Sequence, residues 1–190
     1  MQPVLTAAQM AQLDAFTIGT LGLDGRILMS NAARAVLDEL LRRWPDTRRI
    51  LVLAGLGNNG GDGLALAFYA QQRGIDAHVA VCSPEPLMVS QLSPDCGYFY
   101  EVCRNNFVPL ESLHNPVMLP ELISRSGADV IVDALFGTGL TRPLSEFHVE
   151  LIKRLNMTGR PLVSIDVPSG LSCDNGIPLG AAVEADLTVT

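Results

Sequence analysis

The chain has 190 residues, of which 48% are hydrophobic and 17% are charged, with 13 Lys and Arg against 20 Asp and Glu. The net charge of −7 argues against a protein whose main task is to neutralise nucleic-acid phosphates, although backbone N–H groups can still bind a small anion. The length predicts one compact domain over residues 1–190 with a full hydrophobic core and no need for disulfide bonds.

The cysteines and the N-terminal segment indicate a reducing compartment. The four cysteines contain no Cys-x-x-Cys pair and are predicted to be free thiols, with a zinc site or a disulfide framework as the alternative. They are Cys82, Cys96, Cys103 and Cys173. The first basic residue is Arg26, so no secretory leader is predicted, and no apolar run approaches the roughly 20 residues of a membrane span. We therefore expect a cytoplasmic protein without membrane contact.

Two helices are predicted before the first strand. Thr6 and Gln9 fit a capping box that opens a helix running to about Thr17. A second helix is predicted over 27–43, because its apolar residues recur near helical spacing, and Trp44 is expected to pack at its end. Both helices are expected to cover one face of a sheet.

The rest of the chain alternates short apolar runs with helical segments. The predicted strands are Ile50–Ala54, Ala77–Val81, Val130–Ala134, Leu162–Val167 and Leu187–Thr190. The helices predicted between them are Gly61–Arg73, Met88–Arg104, Pro116–Ser126 and Ser145–Asn156. Apolar strands of this length joined through helices are typical of a doubly wound, mostly parallel, Rossmann-like α/β fold with helices on both faces. Segments 83–86 and 106–116 are predicted loops, and the end of the chain at a strand favours a domain truncated at its C-terminus.

The glycine-rich segment 55–63 follows the first strand and carries the strongest indication of a ligand site. Five glycines in nine residues let the backbone approach a ligand, and the next helix offers unpaired N–H groups to an anion. The segment matches the dinucleotide fingerprint G-x-G-x-x-G, but Asp76 precedes the second strand, so the acid expected at the ribose is displaced. No Gly-Lys-Ser/Thr follows, which excludes a P-loop. Asn58, Asn59 and Asp62 add polar groups that a purely structural turn would not need.

Two further loops follow predicted strands. Asp133 ends a buried run, where its charge requires a cation, hydrogen-bond donors or a ligand. The next residues include Gly-Thr-Gly, of phosphate-cradle composition, and Arg142, which would bind a phosphate. For this loop the alternative is an aspartate that caps a turn and a solvated arginine. Asp166 and Ser169 follow another strand, where the alternative is an Asx-type turn. Because ligands bind outside the carboxyl ends of parallel strands, we expect all three loops to converge on one crevice.

The remaining polar residues are interpreted as structural. His78 lies in an apolar strand and is predicted to be a core histidine, whereas Glu111 and Glu121 are predicted to be solvated. His114 and His148 have no acid or nucleophile at meaningful spacing. No Ser-His-Asp, Cys-His or zinc-ligand arrangement is therefore predicted.

Three ordered motifs resemble one known family. They are Gly57-Asn58-Asn59-Gly60-Gly61-Asp62-Gly63, Asp133-Ala134-Leu135-Phe136-Gly137-Thr138-Gly139-Leu140 and Ile165-Asp166-Val167-Pro168-Ser169-Gly170. They are similar to those of the NAD(P)H-hydrate epimerases, or YjeF N-terminal domains, and segments 5–10 and 29–32 extend the resemblance over essentially the whole chain. The resemblance implies repair of hydrated NADH or NADPH. Such enzymes interconvert the R and S epimers at ring carbon C6, so that an S-specific dehydratase can restore the cofactor.

The resemblance also implies a set of site residues. Those for substrate binding are Asn58, Asn59, Gly60, Gly61, Asp62, Gly137, Thr138, Gly139, Leu140, Thr141, Arg142, Pro143 and Asp166. Asp166 would be the catalytic residue, acting as general acid and base on the C6 hydroxyl and stabilising a planar iminium. One K⁺ per subunit would bind Asn59, Asp133 and Ser169, together with backbone carbonyls. These hard oxygen ligands suit such a cation, which would compensate the buried carboxylate.

A homodimer and a separate or fused ADP- or ATP-dependent dehydratase are further implications of the resemblance. The family motif Met-Glu-Asn-Ala-Gly has Glu and Gly where this chain has Ser30 and Ala33, a departure that would affect substrate orientation or activity. One alternative is a catalytically inactive binding or dimerisation module associated with RNA or protein, in which the motifs would degenerate. Another is an NAD(P)-dependent oxidoreductase, which the first glycine loop alone supports. The retained motifs and the acidic charge favour the epimerase.

Overall fold

A single parallel sheet organises residues 6–190, the part of the chain that the computed structural model describes. Its strands are β1 (Arg49–Ala54), β2 (Asp76–Cys82), β3 (Leu110–Leu113), β4 (Val130–Ala134), β5 (Leu162–Ile165) and β6 (Leu187–Val189). They follow the order β3-β2-β1-β4-β5-β6, and all neighbouring pairs are parallel. The order changes direction between β1 and β4, which is where open α/β sheets bind ligands.

Helices cover both faces of the sheet, so the predicted doubly wound fold is confirmed. They are α2 (Gly25–Arg43), α3 (Asn58–Gln72), α4 (Pro94–Asn105), α5 (Leu119–Ser126) and α6 (Glu146–Asn156). The first helix, α1 (Ala7–Gly19), has no buried residue, so the expectation that it covers the sheet together with α2 was wrong. Ile50 and Val52 of β1 pack with α2, α3 and α4, whereas Leu51 and Leu53 pack with α5 and α6. A strand buried on both faces reads as a continuous apolar run. Within residues 6–190, no helix combines the length and apolar character needed to cross a membrane.

The start of α1 and the end of α2 agree with the prediction. The Gln9 N–H donates to Thr6 Oγ1 at 3.2 Å, and the Thr6 N–H donates to Gln9 Oε1 at 2.9 Å, which completes the capping box. Trp44 caps the C-terminus of α2, where its N–H donates to the Leu40 carbonyl at 2.8 Å. Leu5, the first residue of the similar segment 5–10, lies outside the described residues.

The main differences from the prediction are one missed strand and the starts of two helices. Strand β3 lies inside the predicted loop 106–116 at the edge of the sheet, and its apolar residues are too few to reveal a strand. The helix predicted from Met88 begins at Pro94, because one 3₁₀ turn comes first and proline favours the first position of a helix. The helix predicted from Gly61 begins at Asn58, so the polar residues of the glycine loop form the first turn of α3.

His78 and Glu111 were assigned wrongly from the sequence. His78 on β2 is half-buried, and its Nε2 lies 2.6 Å from Glu111 Oε1 on the neighbouring strand β3. Arg125 Nη2 donates to both oxygens of the same carboxylate, at 2.7 and 2.6 Å. Glu111 is therefore a partner of two side chains, whereas Glu121 is exposed as predicted. The pairing depends on β3, which the sequence did not reveal.

All four cysteines are free thiols, and the exposed one is Cys173. Cys96 and Cys103 lie on α4 against α3, and Cys103 Sγ donates to the Leu64 carbonyl at 3.2 Å. Burial raises the pKa of both thiols to about 12. These cysteines therefore behave as small apolar core residues, not as nucleophiles.

Candidate active site

The three predicted loops meet at the carboxyl ends of β1, β4 and β5. The Gly55 N–H after β1 donates to the Ala134 carbonyl at the end of β4, at 2.9 Å. The Phe136 N–H donates to Ser169 Oγ at 2.9 Å, which joins the loop after β4 to the loop after β5. The loops therefore form the single crevice that the parallel sheet predicts, at the point where the strand order changes direction.

The glycines of these loops serve two purposes. A Cβ at Gly55 would overlap the carbonyl oxygen of Leu135, and a Cβ at Gly60 would overlap the carbonyl oxygen of Gly55. Both glycines are thus required for close packing of backbone on backbone. At Gly57 and Gly139, by contrast, a Cβ would meet no atom within 4 Å. These two positions leave open space in which a ligand can approach the backbone.

The first turn of α3 presents a positive helix end at the crevice. Gly57 is the N-cap and provides no side-chain cap, so the first N–H groups of the helix are available to a ligand. Asn58 is exposed, and its Oδ1 accepts a hydrogen bond from Ser93 Oγ at 2.7 Å. The Ser93 N–H donates to the Leu56 carbonyl at 2.9 Å, so the start of α4 holds this loop in place.

Asn59 has a buried side chain without a partner. It is only 9% exposed, and neither Oδ1 nor Nδ2 has a hydrogen bond within residues 6–190. A Cβ at Gly137 would overlap Asp166 Oδ2 and would lie 3.5 Å from the amide carbon of Asn59, so both side chains border the same glycine. A buried amide without partners is costly, and native proteins rarely leave one unpaired. This arrangement is therefore suited to a ligand that completes the hydrogen bonds of Asn59.

Asp133 is fully buried and is satisfied by protein donors. It accepts hydrogen bonds from Ser164 Oγ (2.7 Å), Ser169 Oγ (2.5 Å), the Ser169 N–H (2.9 Å) and the Leu135 N–H (3.2 Å). Burial raises the pKa of Asp133, and these donors act in the opposite direction. Four bonds use about all the acceptor positions of a carboxylate. Protein hydrogen bonds therefore compensate the burial of the Asp133 carboxylate, and their network links the ends of β4 and β5.

Ser164 is a residue of this network that the sequence analysis missed. It lies directly opposite Asp133 in the register of β4 and β5 and is fully buried. A serine within an otherwise apolar strand was the signal available, because a buried hydroxyl needs a partner. The strand order that makes Asp133 its partner was not readable from the sequence.

Asp166 has a strained backbone at the mouth of the crevice. Its φ is +68°, in the left-handed region that Asp and Asn tolerate better than most residues. Its Oδ2 accepts the Thr138 N–H at 2.7 Å, and its own N–H donates to the Val189 carbonyl at 2.8 Å. Strained residues held by several bonds are concentrated at functional sites. The predicted catalytic residue thus lies beside the unpaired amide of Asn59.

Asp62 lies one turn into α3, on the same face of the helix as Asn59. It accepts no hydrogen bond from the described residues. Burial, the charge of Asp166 and the charge of Asp14 on α1 raise its pKa to about 7. No sequence pattern predicts that Asp14 lies near this carboxyl, since α1 precedes all three motifs.

The second half of the loop after β4 is exposed. The Leu140 N–H donates to the Gly137 carbonyl at 3.2 Å and closes a turn. Thr141, Arg142 and Pro143 then lie at the surface. No ion pair within residues 6–190 includes Arg142. The structure thus does not bring these three residues into contact with the buried polar groups, and Arg142 remains available to a ligand.

The two departures from the family motif lie on α2, beside the site. Ser30 Oγ donates to the Arg26 carbonyl of its own helix at 2.7 Å, whereas Ala33 is fully buried in the core. Met29 packs on α3 so closely that a Cβ at Gly61 would lie 2.7 Å from its methyl group. This part of α2 therefore supports the first turn of α3.

Fold and site together define a doubly wound α/β domain whose crevice presents a helix N-terminus, an unpaired amide and carboxyl groups to a ligand. The family profile described as YjeF-related protein N-terminus matches residues 25–190. The chain belongs to this family, and the resemblance inferred from the three motifs is confirmed.

Each of three similar proteins matches most or all of the chain. The NAD(P)H-hydrate epimerase of Limosilactobacillus fermentum is 37% identical over 189 residues, covering 100% of this chain and 85% of that protein. The bifunctional NAD(P)H-hydrate repair enzyme Nnr of Coxiella burnetii is 35% identical over 169 residues, covering 89% of this chain and 32% of that enzyme. The crystal structure of the yeast protein YNL200c superposes with a TM-score of 0.84 at 25% identity, covering 98% of this chain and 79% of that one.

Proposed function

We propose that the chain is an NAD(P)H-hydrate epimerase, an isomerase that interconverts the R and S forms of hydrated NADH or NADPH for cofactor repair. One observation carries the proposal: relatives named for this activity match the full length of the chain. The three family motifs also meet in one crevice, which an inactive binding module would have no reason to retain. The displaced Asp76 at the amino end of β2 gives no support to an ordinary oxidoreductase.

The reaction centres on Asp166. Protonation of the C6 hydroxyl allows the lone pair of the ring nitrogen to expel water, which leaves a planar iminium. Water then returns to either face of C6 and releases a proton. A carboxyl group beside the ring exchanges these protons, and its negative charge stabilises the cation. The N–H groups of α3 and the side chain of Arg142 suit the negatively charged part of the dinucleotide.

The unpaired amide of Asn59 suits a potassium ion, because its Oδ1 is a hard oxygen ligand with no partner in residues 6–190. Asp133 and Ser169 Oγ are already engaged by protein donors, so they would bind the ion only if it displaced hydrogen bonds of their network. When bound, potassium would add positive charge that helps to hold an anionic substrate.

A coupled assay tests the activity. Both epimers of hydrated NADH are mixed with excess S-specific dehydratase until only the R epimer remains, and the chain is then added with potassium or with sodium. We expect renewed conversion above the spontaneous background, with a higher rate in potassium. If the folded protein leaves the plateau unchanged, the proposed activity is wrong and the inactive binding module becomes the better interpretation. Equal rates in the two salts would argue only against the potassium site.

The chain is further proposed to be a cytoplasmic homodimer that supplies an ADP- or ATP-dependent dehydratase, without binding nucleic acid or membrane. A bifunctional repair enzyme among the relatives supports the functional link to a second repair activity. Helix α1 supports the dimer, because it has no buried residue and exposes Leu13 and Phe16. Exposed apolar side chains grouped on one helix mark contact surfaces.

Leu13→Glu should convert the dimer into a monomer, since a buried charge at an apolar interface is costly. Sedimentation velocity measures the mass. Met157, an apolar residue that is 84% exposed on a different part of the surface, provides the control, and Met157→Glu should leave the mass unchanged. Wild-type protein at the monomer mass over a wide concentration range would contradict the proposal.

A further inference from the structure

His148 on α6 contacts both ends of the loop that follows β4. Its Nδ1 and Ser145 Oγ share a hydrogen bond of 2.8 Å. Its ring lies edge-on against the ring of Phe136, with 4.8 Å between the ring centroids and 70° between the ring planes. Phe136 stands at the start of the loop and Ser145 at its end, so one side chain joins the two ends of the segment 136–145.

Phe136 connects this contact to the crevice. Its N–H donates to Ser169 Oγ at 2.9 Å, which fixes the start of the loop on the neighbouring loop after β5. The next two residues border the predicted catalytic residue: a Cβ at Gly137 would overlap Asp166 Oδ2, and the Thr138 N–H donates to that oxygen at 2.7 Å. The position of Phe136 therefore sets the position of the backbone that contacts Asp166.

Ser145 is used in an unusual way at the other end of the loop. It is the N-cap of α6, where a serine hydroxyl normally accepts a hydrogen bond from an N–H group in the first turn of its own helix. The Ser145 hydroxyl makes no such bond and is paired with the His148 ring. The adjacent Leu144 N–H donates to the Leu179 carbonyl at 2.9 Å. The end of the loop is thus fixed by one backbone bond and one side-chain bond.

Histidine supplies both contacts at this position. The ring packs edge-on against Phe136 and against Phe147, whose centroid lies 4.9 Å away, and burial lowers the pKa of the imidazole. A neutral imidazole can pack on apolar rings and still share a hydrogen bond through Nδ1. A phenylalanine would keep only the ring contact, and an alanine would keep neither.

The middle of the loop has little else to hold it. The Leu140 N–H bonds to the Gly137 carbonyl within the loop itself, and Thr141, Arg142 and Pro143 lie at the surface. A loop with an exposed tip depends on its two ends for its position. Precise positioning of binding groups requires such supporting contacts.

We propose that His148 is a positioning residue that holds residues 137–143 in the conformation that binds the substrate, an inference that rests on the proposed function. His148 acts through Phe136 and Ser145 and not on the reacting atoms. Loss of its contacts loosens the segment that carries Thr138 and Arg142 but leaves the carboxylate of Asp166 in place. Substrate binding should therefore suffer more than the chemical step.

Steady-state kinetics of the coupled assay separate binding from chemistry. His148→Ala should raise KM about tenfold and change kcat less than about threefold, because it removes support from binding groups alone. His114→Ala is the matched control, since it alters an exposed histidine in the loop after β3, and it should leave KM unchanged. Circular dichroism checks that both variants are folded.

Two milder variants divide the contact into its parts. His148→Phe keeps the ring against Phe136, and Ser145→Ala removes the hydroxyl without removing a cap bond of α6. Each should raise KM only about threefold. The double variant should be no worse than either single one, because both substitutions remove the same hydrogen bond. These variants also decide the question if His148→Ala fails to fold.

Amide hydrogen exchange tests the contact without relying on activity. The N–H groups of Leu140 and Leu144 are hydrogen-bonded, so mass spectrometry of the segment 137–144 detects its opening. Exchange there should be about tenfold faster in His148→Ala, with no change in β1. Unchanged exchange, or unchanged KM with active wild-type protein, would overturn the role of His148. Inactive wild-type protein would overturn the proposed function and the role in substrate binding with it, whereas exchange would still show whether His148 holds the loop.

Discussion

Asp166→Asn should lower kcat for epimerisation about a thousandfold while the protein remains folded. Asparagine is tolerated at the φ of +68°, and its Oδ1 can still accept the Thr138 N–H, so the local structure is expected to persist. The variant loses the negative charge and the ability to exchange a proton. The coupled assay measures kcat, and circular dichroism measures the thermal midpoint.

Asp166→Ala is the comparison that separates catalysis from structure. Alanine leaves the Thr138 N–H without its acceptor and is strained at a positive φ, so this variant should lose both activity and stability. If Asp166→Asn kept the wild-type rate, Asp166 would have no catalytic role. If it unfolded like the alanine variant, the charge would be structural.

Gly55→Ala should have the largest effect on stability, with a loss of about 3 kcal/mol in the free energy of unfolding. The added Cβ would overlap the Leu135 carbonyl oxygen, which belongs to the backbone after β4 and cannot rotate away. The methyl group can be accommodated only if the loops after β1 and β4 separate. Urea denaturation measures the free energy of unfolding.

Gly57→Ala is the control from the same loop. No atom lies within 4 Å of the added Cβ, and the φ of −91° is accessible to alanine. Its free energy of unfolding should therefore change by less than about 0.5 kcal/mol. Equal losses in the two variants would show that glycine is needed throughout this loop for its flexibility and not at Gly55 for close packing.

The sequence predicted the crevice better than the contacts inside it. Parallel strands bring their carboxyl ends to one edge, so polar loops that follow β1, β4 and β5 had to converge. Contacts between elements depend on strand order and register, which periodicity does not reveal. Ser164 became the partner of Asp133 only through the pairing of β4 and β5. Glu111 and His78 met only because β3, a strand with little apolar character, pairs with β2.

Helix boundaries explain a second group of differences. The polar residues from Asn58 to Gly61 read as loop because glycine is a poor helix former. Backbone packing overrides that propensity, because Gly60 must approach Gly55 more closely than any other residue allows. As a result, Asn58 and Asn59 lie in the first turn of α3 and not in a free loop, which fixes the direction of the buried amide.

The partly buried Asp62 also couples folding to proton uptake. In an unfolded chain its pKa would be near 3.8, whereas in the folded protein it is about 7. Between these values the folded state holds a proton that the unfolded state has released, so stability falls as pH rises through this range. Acidification towards pH 4 restores this contribution, and alkaline conditions remove it. The protein thus gives up part of its alkaline stability to keep a proton in the crevice, a trade-off typical of sites shaped for chemistry.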